Sequence, residues 1–190
     1  MKEITRKVIR RICILVGIGI LIAAGAWMLS IRGSQNLVAS YVNSLRILMP
    51  EPQRAAPEER TDNTMAVFSL DGTDFVGILE MPRYGSALPV GARWGKSYQY
   101  PCCLSGSIYD GSIQIGATSQ KGQYDFYREI SVGDSLYFTD MAGNRYAYTV
   151  TDLRYERHAD QSALQRKDAD LTLFIKNMYD FEYIIVFCNV

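Results

Sequence analysis

The spacing of apolar and polar residues changes along the chain, and each pattern predicts a different kind of element. Ile12 to Ile31 is a run of 20 residues without a charge. At about 1.5 Å per helical residue it spans about 30 Å, the thickness of a bilayer's hydrocarbon core, which predicts a transmembrane helix. From Gly33 to Leu48 the apolar residues Leu37, Val38, Tyr41, Val42, Leu45 and Ile47 return every three or four positions. That stripe predicts a short amphipathic helix continuing from the membrane and suited to its surface. Pro50, Pro52 and Pro57 then stand among Glu, Arg and Gln up to Thr64, the composition of an extended, solvated spacer.

From Met65 onward the runs are short, rich in β-branched and aromatic residues and separated by turn residues. Phe75 to Met81, Ser112 to Ala117, Asp134 to Thr139, Arg145 to Tyr155, Leu171 to Ile175 and Tyr183 to Phe187 read as strands of a barrel or sandwich. Asp140 to Asn144 is a hairpin turn, because Gly143 and Asn144 tolerate positive φ between two strands. Tyr124 to Ile130 and Ala159 to Arg166 lack strand alternation and suit short helices. The expected organisation is a basic tail over 1–11, a transmembrane helix over 12–31, a juxtamembrane helix and Pro-rich linker over 32–64, and a mainly β domain over 65–190.

Charge orients this arrangement. The chain of 190 residues carries 20 basic and 20 acidic residues, so no overall imbalance points to nucleic acid. Lys2, Arg6, Lys7, Arg10 and Arg11 precede the apolar run, however, and only Arg32 directly follows it. Basic flanks remain in the cytoplasm, which places the N-terminus inside and the C-terminal domain outside the cell. A cleaved signal sequence is the alternative, with Ala24-Gly25-Ala26 as its cleavage site, but the apolar run continues through Trp27, Met28 and Leu29, beyond the usual length. The thirteen tyrosines read chiefly as barrel wall, with rings packed and hydroxyls wet.

Several segments, in order, resemble the sortases, cell-surface cysteine transpeptidases of Gram-positive bacteria with an N-terminal anchor and an outer eight-stranded barrel. Phe75-Val-Gly-Ile-Leu-Glu-Met-Pro82 followed by Leu88-Pro-Val90 is similar to the family's opening strand and the segment after it. Tyr100-Pro-Cys102 with Ser105-Gly-Ser-Ile-Tyr109 is similar to the stretch before its histidine strand. Val132-Gly-Asp134 through Tyr146-Ala-Tyr148 resembles its most recognisable block, and Asp170-Leu-Thr-Leu-Phe174 resembles the approach to its nucleophile. The resemblance implies a closed eight-stranded β-barrel with short helices; one histidine and scattered cysteines give no metal-ligand spacing, and no metal or cofactor is expected.

A sortase attacks a peptide sorting signal with a thiolate, holds the acyl chain as a thioester and passes it to an amine. This takes a cysteine of lowered pKa, a proton-carrying histidine and a cationic donor for the oxyanion. Each has a fixed place in the family pattern, and each place is filled differently here. Lys176 closes Thr172-Leu-Phe-Ile-Lys176 where the cysteine belongs, Thr118 follows Ile115-Gly-Ala117 where the histidine belongs, and Tyr183 takes the arginine position beside Glu182. The resemblance therefore implies a barrel without its catalytic triad.

Substitutes are few. His158 is the sole histidine and reads as a solvent-facing loop residue rather than a displaced general base. Cys103 is the one thiol open to a shifted nucleophilic role; Cys13 lies in the apolar run, and the resemblance suggests a bridge between Cys102 and Cys188. The leading expectation is a membrane-anchored, catalytically inactive sortase-like protein that binds a sorting-signal-like peptide or an envelope protein. The alternatives are an active transpeptidase or hydrolase using Cys103 or Lys176 with His158, and a scaffold of a membrane complex.

Overall fold

The structure is a computed structural model, and it describes residues 2–54, 62–94, 99–119, 123–157, 168–177 and 182–190. His158 and the helix expected over Ala159 to Arg166 lie outside the described residues. The chain forms two compact units, Met1–Asn36 and Leu37–Val190.

The first unit is most of a single continuous helix, α1 (Lys2–Leu48). Its apolar stretch is long enough to cross a membrane, by length and composition. Leu15, Leu21, Trp27 and Leu29 are exposed. A helix apolar around its whole circumference suits an apolar surrounding rather than water.

The second unit opens with the last turns of α1 and continues into the strands β1 (Gln53–Arg54), β2 (Phe68–Leu70), β3 (Thr73–Met81), β4 (Ser86–Gly91), β5 (Cys102–Ser105), β6 (Ile113–Thr118), β7 (Ser135–Asp140), β8 (Asn144–Glu156), β9 (Leu171–Lys176) and β10 (Tyr183–Asn189). Eight of them close a cycle in the order β3, β4, β5, β6, β9, β10, β8, β7 and back to β3. The β4–β5 and β6–β9 pairings are parallel, and the other six pairings of the cycle are antiparallel. The two shortest strands add to this wall, β1 beside β8 and β2 beside β3.

Alternation along the strands separates an inner from an outer face. Val76, Leu79, Ile113, Ile115, Leu171, Leu173, Ile175, Ile184 and Val186 belong to one buried cluster inside the barrel. Gly77 lies in that wall because nothing larger fits. A Cβ there would come within 2.5 Å of both the Phe138 ring and the Thr139 carbonyl oxygen.

The apolar stripe of α1 meets protein where a lipid surface was expected. Val42 and Leu45 join Phe75, Ile78, Tyr100 and Cys102 in a second cluster on the outer face, and Tyr41 stacks at a tilt on Phe75 at 5.2 Å. Arg46 and Arg145 both reach Glu80, at 2.6 Å each, tying the end of α1 to β3 and β8. The start of the expected spacer also docks, since the Gln53 amide donates to the Gly143 carbonyl at 2.9 Å. The packed unit thus begins at Leu37, ahead of Met65.

The hairpin at 140–144 forms as its sequence predicts: the Asp140 carboxylate accepts from the Ala142 and Asn144 amides at 2.9 and 2.8 Å, with Gly143 at φ 84°. Residues 124–130 are a chain of tight turns rather than the expected helix, with amides of Tyr127 and Glu129 bonded three residues back. The strands β4 and β5 have no counterpart among the predicted runs.

Candidate functional site

Thr118 ends β6, Lys176 ends β9 and Tyr183 begins β10. The register makes Lys176 the partner of both Thr118 and Tyr183, and Tyr183 is in turn the partner of Glu156 on β8. Register partners share a face and lie about 5 Å apart. Thr118, Lys176, Tyr183 and Glu156 therefore form one row across three strand pairings, although 58 residues of chain separate the first two. Their in-chain neighbours Ala117, Ile175 and Ile184 belong to the interior cluster, so the row faces outward.

Each group in the row is held differently. Thr118 is 1% exposed; its hydroxyl donates to the Gln123 side-chain oxygen at 3.3 Å, and its amide approaches the same oxygen at 3.4 Å. The next residue, Ser119, donates its amide to the Lys176 carbonyl at 2.9 Å and its hydroxyl to Asn177 at 3.3 Å. Asn177 donates its side-chain amide to the Tyr127 hydroxyl at 2.6 Å, which also accepts from Arg128 Nε at 2.9 Å. Gln123, Ser119 and Asn177 are all buried. Buried polar groups of this kind are held in place by having their bonds made, so the end of β6 is fixed in a polar network rather than presented to solvent. Lys176 and Tyr183 are half-buried, and the Tyr183 ring stacks on Phe174 at 5.0 Å. The Glu182 carbonyl accepts the Asn177 amide at 2.8 Å, closing the base of the β9–β10 turn.

One pleat period below this row lies an apolar shelf. Gly116 is the register partner of Phe174, which is the partner of Ile185. The Trp94 indole rests on Gly116: a Cβ there would come within 2.6 Å of the ring and 2.9 Å of Leu104. Trp94 remains 43% exposed.

The thiols lie elsewhere. Cys103 is the partner of Ile115 and belongs to the interior cluster. Its S–H points to the Ser105 carbonyl at 3.6 Å, and burial pushes its pKa above the ordinary thiol value, with that backbone bond pulling the other way. A raised pKa is the reverse of what a nucleophilic thiol needs. The suggested Cys102–Cys188 bridge does not form. Cys102 faces outward beneath Tyr100 and α1, whereas Cys188 faces inward, and β6 and β9 stand between their strands. Three strand spacings amount to about 14 Å, while bridged cysteines have Cα atoms within about 7 Å.

The network through Gln123, Asn177 and Tyr127 and the Trp94 shelf were not anticipated from sequence. The one available signal for the shelf was the glycine in Ile115-Gly116-Ala117, a break in an otherwise strand-like run.

No family model matches the chain, and no curated protein matches it. Solved structures do. A pilus-related sortase C of Group B Streptococcus aligns with 84% of this chain and 88% of its own, at 21% identity and a TM-score of 0.53. Sortase A from Corynebacterium diphtheriae aligns with 84% of this chain and 83% of its own, at 15% identity and a TM-score of 0.53. Sortase C1 from Streptococcus suis aligns with 60% of this chain and 72% of its own, at 18% identity and a TM-score of 0.52. At these identities the likeness is one of fold: the chain forms a sortase-like closed eight-stranded barrel, with one long apolar helix at its N-terminal end.

Proposed function

We propose that this chain is a membrane-anchored, extracellular sortase-like protein that binds a peptide or envelope protein on the outer face of β6, β9 and β10 without cleaving it. The observation that carries this reading is the register itself. Positions that resemblance assigns to histidine, cysteine and arginine stand side by side, and they are occupied by Thr118, Lys176 and Tyr183. The frame for three-group chemistry is kept while the groups that perform it are replaced. An alcohol bonded to Gln123 is no proton carrier near neutral pH, and a phenol is a weaker oxyanion donor than a guanidinium.

With His158 as partner, the enzymatic alternative asks Lys176 or Cys103 to act as nucleophile. The Cys103 thiol is on the interior side of β5 and is raised in pKa by burial, so the outer-face reading is preferred. The apolar helix supports anchoring, and the basic residues before it support an outside location for the barrel.

The test uses the full chain in detergent micelles with a library of sorting-signal-like peptides. Reversible binding that weakens in Trp94→Ala and Lys176→Met, with no mass added to the protein, supports the proposal. A covalent acyl adduct that disappears in Cys103→Ala overturns it.

A further inference from the structure

We infer that the outer face of β6, β9 and β10 selects a peptide by its free C-terminal carboxylate, held by the Lys176 ammonium, with the penultimate apolar side chain seated on the Trp94–Phe174 shelf. This rests on the outer-face binding reading and names the ligand it takes. Lys176 is half-buried at the end of β9, and no carboxylate among the described residues pairs with it. Its two register neighbours are a threonine and a tyrosine, both uncharged, and the acidic position of the row, Glu156, lies beyond the Tyr183 ring. Thr118 is itself buried, so an anion meets the ammonium along the strands, from the shelf where the partly exposed Trp94 covers Gly116.

The spacing fits two consecutive residues of an extended peptide. Lys176 and Phe174 are two positions apart on the same face, about 7 Å along the strand, and so are Thr118 and Gly116. A terminal carboxylate and the side chain of the penultimate residue lie about that far apart in an extended chain. Both anchors then engage short, stiff parts of the ligand. An internal Asp or Glu would have to immobilise a further flexible side chain to reach the same cation. The partly exposed indole and the stacked Phe174–Tyr183 rings supply apolar area without loss of many rotamers. The class of ligand is thus a processed peptide end with an apolar penultimate residue, the form an already cleaved envelope protein presents.

The experiment compares two libraries of N-acetylated hexapeptides randomised at every position, one ending in a free carboxylate and one in a carboxamide, against the full chain in detergent micelles. The acid library binds at least about tenfold more tightly, the size of a charge-assisted contact. Lys176→Met abolishes that preference and Lys176→Arg keeps it. Trp94→Ala weakens both libraries alike and removes the enrichment for apolar penultimate residues. Equal binding of acid and amide, or a preference that survives in Lys176→Met, overturns the carboxylate assignment while leaving outer-face binding standing. If neither library binds, both readings fall.

Discussion

Thr118 and Lys176 are register partners at the ends of the parallel strands β6 and β9, and this pairing sets the site apart from a generic barrel surface. Parallel partners on one face are within reach of each other's side chains. Substituting the pair, together with Tyr183, installs three chosen groups at neighbouring positions of one row.

The first prediction follows from that adjacency. The triple variant Thr118→His, Lys176→Cys, Tyr183→Arg carries a thiol flanked by an imidazole and a guanidinium, both of which lower its pKa. It reacts with a cationic thiol reagent at pH 7 at least about tenfold faster than Lys176→Cys alone, as read by mass spectrometry. Equal rates would mean that the three positions do not converge.

The second concerns Gly77. A methyl group there meets the Phe138 ring and the Thr139 carbonyl at 2.5 Å, and neither is the far end of a flexible chain. Gly77→Ala destabilises the barrel domain by about 1–3 kcal/mol, read as a lowered denaturation midpoint. Gly72→Ala, where no atom lies within 4 Å but φ is 74°, costs about 1 kcal/mol through backbone strain alone.

The third is a pH dependence. Burial raises the thiol of Cys188, and it raises the phenol of Tyr148 together with repulsion from Asp170; Tyr84 is pushed up to about 12, by burial first and then by its bond to Asp134. Groups that hold their protons more tightly when folded stabilise the fold below their unfolded values and lose that contribution as pH rises past them. The melting temperature falls above about pH 9, where unfolded thiols begin to ionise, and the fall is shallower in Tyr148→Phe.

The fourth lies at the acid end. Burial opposes ionisation of Asp134, but the Tyr84 hydroxyl at 2.6 Å, the Ser131 amide at 2.9 Å and Arg83 at 2.5 Å outweigh it and hold its pKa below the ordinary carboxylate value. A depressed pKa stabilises the fold above the unfolded value and is lost as pH falls below it. The acid unfolding transition therefore moves to higher pH in Arg83→Met, measured by tyrosine fluorescence.

The fifth is topological. Protease added to intact cells removes the barrel domain and leaves a membrane-embedded fragment containing Ile12 to Ile31, seen by mass spectrometry. A domain protected until the membrane is broken would reverse the orientation assigned from the basic N-terminal flank.

Much of this architecture was legible in the chain. The runs at Phe75, Ser112, Asp134, Arg145, Leu171 and Tyr183 read as strands, and each overlaps an observed one, those at Ser112 and Asp134 beginning one residue early. Those at Ser86–Gly91 and Cys102–Ser105 were not: the first holds Pro89 and ends in glycine, and the second is four residues long. The α1 stripe was read correctly as amphipathic but not its partner, because apolar spacing states which face is buried and not against what. The site divides similarly. Thr118, Lys176 and Tyr183 were identified by resemblance, yet their alignment depends on a parallel pairing across 58 residues, which no local pattern encodes. The hold of Gln123 on Thr118 and of Tyr127 on Asn177 is set by the 123–130 turns, whose sequence suggested a helix.

The position of β10 has a consequence for biogenesis. It follows the other seven barrel strands in chain order, yet it sits between β8 and β9 and bonds to both. Until Tyr183–Asn189 arrives the wall is an open sheet with two adhesive edges, and the row containing Lys176 lacks its aromatic side. The growing chain is thus vulnerable to aggregation for nearly the whole of its synthesis, and the face formed by β6, β9 and β10 is complete only in the final step.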